Sequence, residues 1–332
     1  MLLARSIFNL VSKMYIIPCR YYQVAIVGSG SEIGQTTALL LRTNPSITKL
    51  VLHDYLDHMP GIVLDLSHIP SNSMIKGYTG KETLEEALQG SSLVIAAGDD
   101  PQNTGWITKS TLSQNADFIK NIAISVAKIS PLPFLGIVTE PLNTLVPMAA
   151  EVMRNQGCTD LTKLLGISTI DTLKAQALYA AENEFNPSEC FVPVIGGHSK
   201  ETMVPLISQA NPKSKLSEEK HRELIAKLRT YNISDIAKRT YAPTLSVAFS
   251  VSIFTQNILE ALNGHTSHTN AFVENNDFGT SFISGLFDVD KNGVGEMKKY
   301  TDLSKYEYVL LQQSIEQLRK DVAIGKDILE LA

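Results

Sequence analysis

Cysteine is scarce in this chain: Cys19, Cys158 and Cys190 are all that 332 residues contain. They are odd in number and far apart, so they make neither a disulfide framework nor a zinc-ligand spacing, and a reducing compartment suits them. Basic excess is missing too. Lys and Arg total 29 against 34 Asp and Glu, a net charge of -5, which argues against nucleic acid as the main partner because little is left over to neutralise phosphates. No apolar run approaches the roughly 20 uninterrupted residues of a membrane span. What remains, 44% hydrophobic and 19% charged residues, describes a soluble globular protein long enough for two domains.

Acidic residues are absent from the first 22 positions, and the first in the chain is Glu32. That segment carries Arg5, Lys13 and Arg20 and is loosely amphipathic, a composition that suits a mitochondrial presequence and hence the matrix. A secretory signal or a disordered arm is the alternative. Against the former, Ser12-Lys13 interrupts what should be a continuous apolar core.

Gln23 to Val27 reads as a buried strand. Gly28-Ser29-Gly30-Ser31-Glu32-Ile33-Gly34 follows at once, and a helical pattern runs from Gln35. Strand, glycine loop and helix in that order let backbone N–H groups and a helix N-terminus cradle a pyrophosphate. A second strand, Lys49 to His53, ends at Asp54, whose carboxylate can accept from a ribose hydroxyl pair and would repel a 2′-phosphate, favouring NAD over NADP. Helical patterns from Gly61 and Thr83, a strand at 93–98, a polar loop at 99–109, a helix over 110–129 and a strand at 134–139 complete an alternation over 23–145. Such alternation spells a parallel sheet covered on both faces.

Beyond Gly166 the pattern changes. Helices are expected at 170–184, 217–228 and 248–262. Asp288 to Gly293 resembles the head of a calcium loop, but its twelfth position is Lys299 where a bidentate Glu is required, so Asn292-Gly293 reads as a hairpin turn. His265 and His268 sit in a Ser/Thr/Asn stretch without an acidic third ligand, and no metal is expected. Between these elements Val192-Pro193-Val194-Ile195-Gly196-Gly197-His198 is a short apolar run ending on two glycines and a histidine, with Asp171 27 positions upstream. A histidine so placed can face a cleft, and a carboxylate beside it would fix its tautomer and raise its pKa. It could equally serve the fold alone.

These segments together resemble the mitochondrial-type malate dehydrogenases, along nearly the whole length after about residue 22. The resemblance is carried by Val24–Gly34 with Asp54, Leu64–Ile69, Asn115-Ala116, Pro141-Leu142-Asn143 with Val146-Pro147, Gly166-Ile167 with Asp171, Val192–His198, Thr202 with Pro205–Gln209, and Thr244–Ser246. It implies an N-terminal doubly wound Rossmann domain at 23–166, a C-terminal mixed α/β substrate domain at 167–332, NAD as cofactor and a homodimer. It further implies that His198 and Asp171 are the acid–base pair acting on the C2 oxygen of malate or oxaloacetate. The cofactor grip would comprise Gly28, Gly30, Ser31, Ile33, Gly34, Asp54, Asn115 and the turn at Glu140, with Ser31 and Glu32 standing where the family usually has glycine.

The departures cluster at the substrate. Two of the family's three carboxylate-binding arginines correspond to Gln102 and Thr108, the third to Lys174, and the family's Asn before proline to Glu140; Asn143 lies in the same turn. Planar guanidinium forks grip a carboxylate bidentately, and lysine, glutamine and threonine do not. Two readings therefore stand. One is an NAD-dependent malate dehydrogenase-like oxidoreductase with weakened or shifted activity on 2-hydroxy or 2-oxo acids. The other is a non-catalytic NAD-binding or structural paralogue. A mitochondrial assembly module unrelated to NAD would leave Asp54 and the glycine loop without a purpose.

Overall fold

The computed structural model describes residues 22–98, 109–230 and 243–331. Strand β1 (Tyr22–Val27) is nearly all buried, and helix α1 (Glu32–Leu41) follows the glycine turn. Strand β2 (Ile47–Asp54) then returns parallel to β1. Along β1, Val24 and Ile26 enter one apolar core while Ala25 and Val27 enter another. That is the two-residue alternation of a strand covered on both faces.

The pattern continues through α2 (Met59–Ser67), β3 (Met74–Thr79), α3 (Leu84–Leu88), β4 (Leu93–Ala96), α4 (Lys109–Ala127), β5 (Phe134–Ile137), α5 (Leu142–Asn155) and β6 (Leu164–Ile167). The strands stand in the order β3-β2-β1-β4-β5-β6, all parallel. The chain order reverses between β1 and β4, and a cleft opens at the carboxyl ends of strands at such a point.

The second half comprises α6 (Thr169–Asn183), β7 (Val194–Gly196), β8 (Met203–Pro205), α7 (Glu218–Thr230), α8 (Leu245–Leu262), β9 (Ser267–Glu274), β10 (Phe282–Asp290), β11 (Gly293–Met297) and α9 (Lys305–Leu331). The sheet does not stop at the sequence boundary near 166. β6 pairs antiparallel with β9, and β10, β7 and β8 extend it, with β11 on β10. The hairpin at Asn292-Gly293 is present as the β10–β11 connection. His268 stands on β9, not in a loop, and pairs with Asp288 across the sheet at 2.8 Å.

Helix α8 is long and apolar enough by composition to cross a membrane, with a mean hydropathy of 1.4. It packs here against α1, β9 and β10, and Val251, Phe254 and Ile258 are fully buried, each such side chain contributing roughly 1.5–3 kcal/mol of burial. α9, which the sequence reading does not anticipate, lies along α5 and behind β7 and β8.

Candidate active site

The turn after β1 is built for close approach. A Cβ on Gly34 would lie 2.2 Å from the Gly28 carbonyl oxygen, so only glycine lets α1 start this near the strand. Ser31 caps the helix: its hydroxyl accepts from the Gly34 N–H at 3.0 Å and donates to the Ala97 carbonyl at 2.7 Å. Serine at this position is thus accounted for by capping. Helix geometry offers no intrahelical acceptor for the N–H groups of Glu32 and Ile33, the usual anion-binding arrangement. Ile33 packs on the core, and the Glu32 side chain is exposed. At the end of β2, Asp54 accepts from the Gly30 N–H at 2.7 Å and from the Tyr55 N–H at 2.6 Å. The two bonds fix its carboxylate beside the glycine turn, and these residues fit an adenosine ribose and pyrophosphate.

Across the sheet, β7 ends in a turn that presents His198. Gly196 has φ +100°, and a Cβ there would meet the Thr202 carbonyl oxygen at 2.2 Å. A network of hydrogen bonds holds the loop. The Gly197 N–H and the Ser314 hydroxyl both donate to the Thr202 carbonyl, the Thr202 hydroxyl accepts from the Ser199 N–H, and the His198 N–H donates to Asn143 Oδ1 at 2.8 Å. Asn143 is 4% exposed, and its amide nitrogen donates to Thr202 Oγ1 at 3.0 Å and Asp321 Oδ2 at 2.9 Å. Asn143, which the sequence reading groups with the substrate positions, is here hydrogen-bonded to the backbone behind the histidine.

The His198 ring lies between two carboxylates. Nδ1 is 2.6 Å from Asp171 Oδ2, and Nε2 is 2.8 Å from Glu140 Oε1. Asp171 rides on the first turn of α6. Glu140 precedes α5 and is tethered at both ends: its carbonyl accepts from Asn115 Nδ2 at 2.7 Å, and Oε2 accepts from the Leu142 N–H at 2.9 Å. Burial opposes charge on the ring, yet the two carboxylates overcome it and hold the imidazole protonated well above its ordinary range near 6.5. The side chains of His198 and Asp171 are 16% and 12% exposed, while Glu140 is 40% exposed and closes the outer side of the ring.

Lys174 sits one turn beyond Asp171 on α6, half-buried. Desolvation pushes its ammonium below the usual lysine range, and the Asp171 charge opposes that shift. Gln102 and Thr108 lie outside the described residues. The fold therefore brings together His198, Asp171, Glu140, Asn115, Asn143 and Lys174. Sequence reasoning gives no role to Ser314 and Asp321, which arrive on α9 from over a hundred residues away; nothing local marks them as residues of the site. Among the described residues no group of three His, Cys, Asp or Glu side chains could hold a metal.

Residues 22–166 match the lactate/malate dehydrogenase NAD binding domain, and residues 168–328 match the lactate/malate dehydrogenase alpha/beta C-terminal domain. Malate dehydrogenase 2, mitochondrial, of Arabidopsis thaliana is 32% identical over 91% of this chain and 89% of its own length. Malate dehydrogenase of Vibrio vulnificus is 33% identical over 93% and 100%. Among solved structures, the malate dehydrogenase of Cryptosporidium parvum superposes with a TM-score of 0.79 at 23% identity, covering 92% of this chain and 99% of that one. The lactate dehydrogenase of Eimeria maxima with NADH and oxamate gives 0.77 at 19% identity, covering 93% and 96%. The glycine cradle on one side of the cleft and the histidine–aspartate pair on the other are thus carried by two matched domains, and the chain belongs to the lactate/malate dehydrogenase family.

Proposed function

We propose that the chain catalyses NAD-dependent hydride transfer between a 2-hydroxy acid and its 2-oxo acid, malate and oxaloacetate being the first pair to test, with turnover weakened by its altered site. When bound, NAD supplies the hydride acceptor. The observation that carries this reading is the Asp171–His198 pair, 2.6 Å apart, at the end of a fixed glycine turn. As C2 loses hydride, its hydroxyl proton passes to His198 Nε2, and Asp171 on Nδ1 stabilises the imidazolium that forms. In reduction the same nitrogen returns the proton to the C2 oxygen. Gly28, Gly30, Ser31, Ile33, Gly34 and Asp54 would hold the cofactor's adenosine half, with Asn115 and the Glu140 turn toward the nicotinamide. Lys174, one turn beyond Asp171 on α6, would be the cation for a substrate carboxylate.

Substrate-dependent oxidation of NADH, followed with oxaloacetate and a panel of other 2-oxo acids, tests the proposal. No rate above that of His198→Ala on any of them would reject it. The second reading, an NAD-binding protein without turnover, is favoured by one specific observation: Glu140 occupies the nitrogen that must reach substrate. Tight NAD binding with no turnover of any 2-oxo acid would select it.

Matrix localisation rests on the basic, acid-free first 22 residues and on the mitochondrial relative. Fusion of that segment to a fluorescent reporter tests it. Homodimerisation rests on an apolar surface. Leu39 on α1, Leu64 on α2, and Leu245 and Phe249 on α8 are each more than half exposed, and α1 packs on both other helices. Large apolar side chains exposed on helices that pack together are the kind of surface that marks an interface. Sedimentation of wild-type protein against Leu245→Glu/Phe249→Glu reads the association state.

A further inference from the structure

Glu140 is held as firmly as the residues around it. Its main chain is fixed by Asn115, one carboxylate oxygen by the Leu142 N–H and the other by His198 Nε2. A substrate whose C2 oxygen takes its place on Nε2 must break only the last of these. The Leu142 and Asn115 contacts then keep the Glu140 carboxylate beside the substrate, deprived of its imidazolium partner. Among the described residues, the charged groups about this point besides His198 are Asp171 and Lys174 on α6, Glu140 before α5, and Asp321 on α9 reached through Asn143. Three of the four are anionic. A carboxylate left without its cation in a partly desolvated cleft is costly unless a new cation arrives.

We propose that Glu140 is the specificity-determining residue of this site, selecting substrates whose substituent on C2 is cationic or neutral over those in which it is a second carboxylate. An ammonium or guanidinium on that substituent replaces the imidazolium as the partner of Glu140. A carboxylate there meets like charge, and repulsion against the wrong ligand is as effective as attraction to the right one. The proposal rests on the reading of the His198 cleft as the substrate site. It goes beyond that reading by assigning the chemistry of the substrate's distal end.

Calorimetric binding to the protein–NADH complex tests it, with unreactive oxamates bearing an N-aminoethyl, N-propyl or N-carboxymethyl group. Wild-type protein binds them in that order, the cation at least about tenfold tighter than the anion, as expected for one charge pair in a half-solvated site. Glu140→Gln, which keeps an acceptor for the Leu142 N–H but removes the charge, brings the three within about threefold when each protein is saturated with NADH. The same preference in both proteins, or none in wild type, overturns the proposal. So does charge-blind binding that appears only in the variant, since Glu140 would then be a plug without selectivity. Failure of all three ligands with both proteins removes the cleft as the substrate site, and the parent reading with it.

Discussion

Glu140 Oε1 lies 2.8 Å from His198 Nε2, on the opposite side of the ring from Asp171. The nitrogen that should meet a substrate oxygen already has a carboxylate on it. Charge-assisted hydrogen bonds of this kind are about twice as strong as neutral ones, so an incoming 2-oxo acid competes with the protein's own side chain. Glu140→Asn should therefore raise kcat/KM for 2-oxo acids with a neutral or carboxylate-bearing C2 substituent by about tenfold or more, mainly by lowering KM. Steady-state kinetics at neutral pH decide it, and an unchanged KM would place the substrate elsewhere.

The protonation of His198 fixes the pH behaviour. Its folded pKa lies well above the ordinary value near 6.5, so its contribution to stability is complete below the unfolded value and is lost as pH rises through the folded one. Urea unfolding should show wild-type stability falling as pH rises above the ordinary histidine range near 6.5, and falling less in Glu140→Gln. Hydroxy-acid oxidation needs the neutral ring. Its rate should rise with pH through an inflection well above 6.5, which the same substitution moves downward.

Asp171→Asn removes the charge that stabilises the imidazolium while keeping the shape of the side chain. Turnover should fall by about 10²–10⁴-fold with the fold intact. A loss below threefold would mean that Glu140 alone sustains the acid–base role.

Asn143 acts through position. Asn143→Ala leaves the His198 N–H and a half-buried Asp321 oxygen without their Asn143 partner, a destabilisation of about 1–3 kcal/mol. kcat should fall while NAD affinity stays the same. Asn143→Asp should be worse, because it sets a carboxylate against Asp321. Melting curves and calorimetric NAD titration separate these outcomes from a direct substrate contact.

Gly34→Ala tests the cofactor cradle. The added methyl meets the Gly28 carbonyl oxygen, so the turn must open and NAD affinity should fall by about tenfold or more, equivalent to about 1.4 kcal/mol. Unaltered affinity would remove this turn from the cofactor site.

The first half of the fold is legible because each element advertises itself locally. β1 and β2 are apolar runs, the glycines sit at the turn, and Asp54 closes β2. β3 escapes notice because Met74 to Thr79 is an edge strand without a fully buried residue, so it carries no apolar run. α9 carries a readable signal in Leu310, Ser314, Leu318 and Val322, all buried and at helical spacing, diluted by the charged and amide residues between them. The Asp171–His198 pairing is anticipated from spacing and resemblance. Glu140 is anticipated only as a departure from the family's Asn at the substrate. That it falls on Nε2 depends on the turn between β5 and α5 facing the turn after β7, a relationship 58 residues apart that no local pattern encodes.

The most direct measurement is isotopic. NADH deuterated at C4 should deliver deuterium to C2 of the hydroxy acid formed by wild-type protein from at least one 2-oxo acid, with Glu140→Asn delivering it faster and His198→Ala not above a protein-free blank. Mass spectrometry of the product reads the label. Wild-type protein and Glu140→Asn that both leave every 2-oxo acid unlabelled, while binding NADH, would contradict the account.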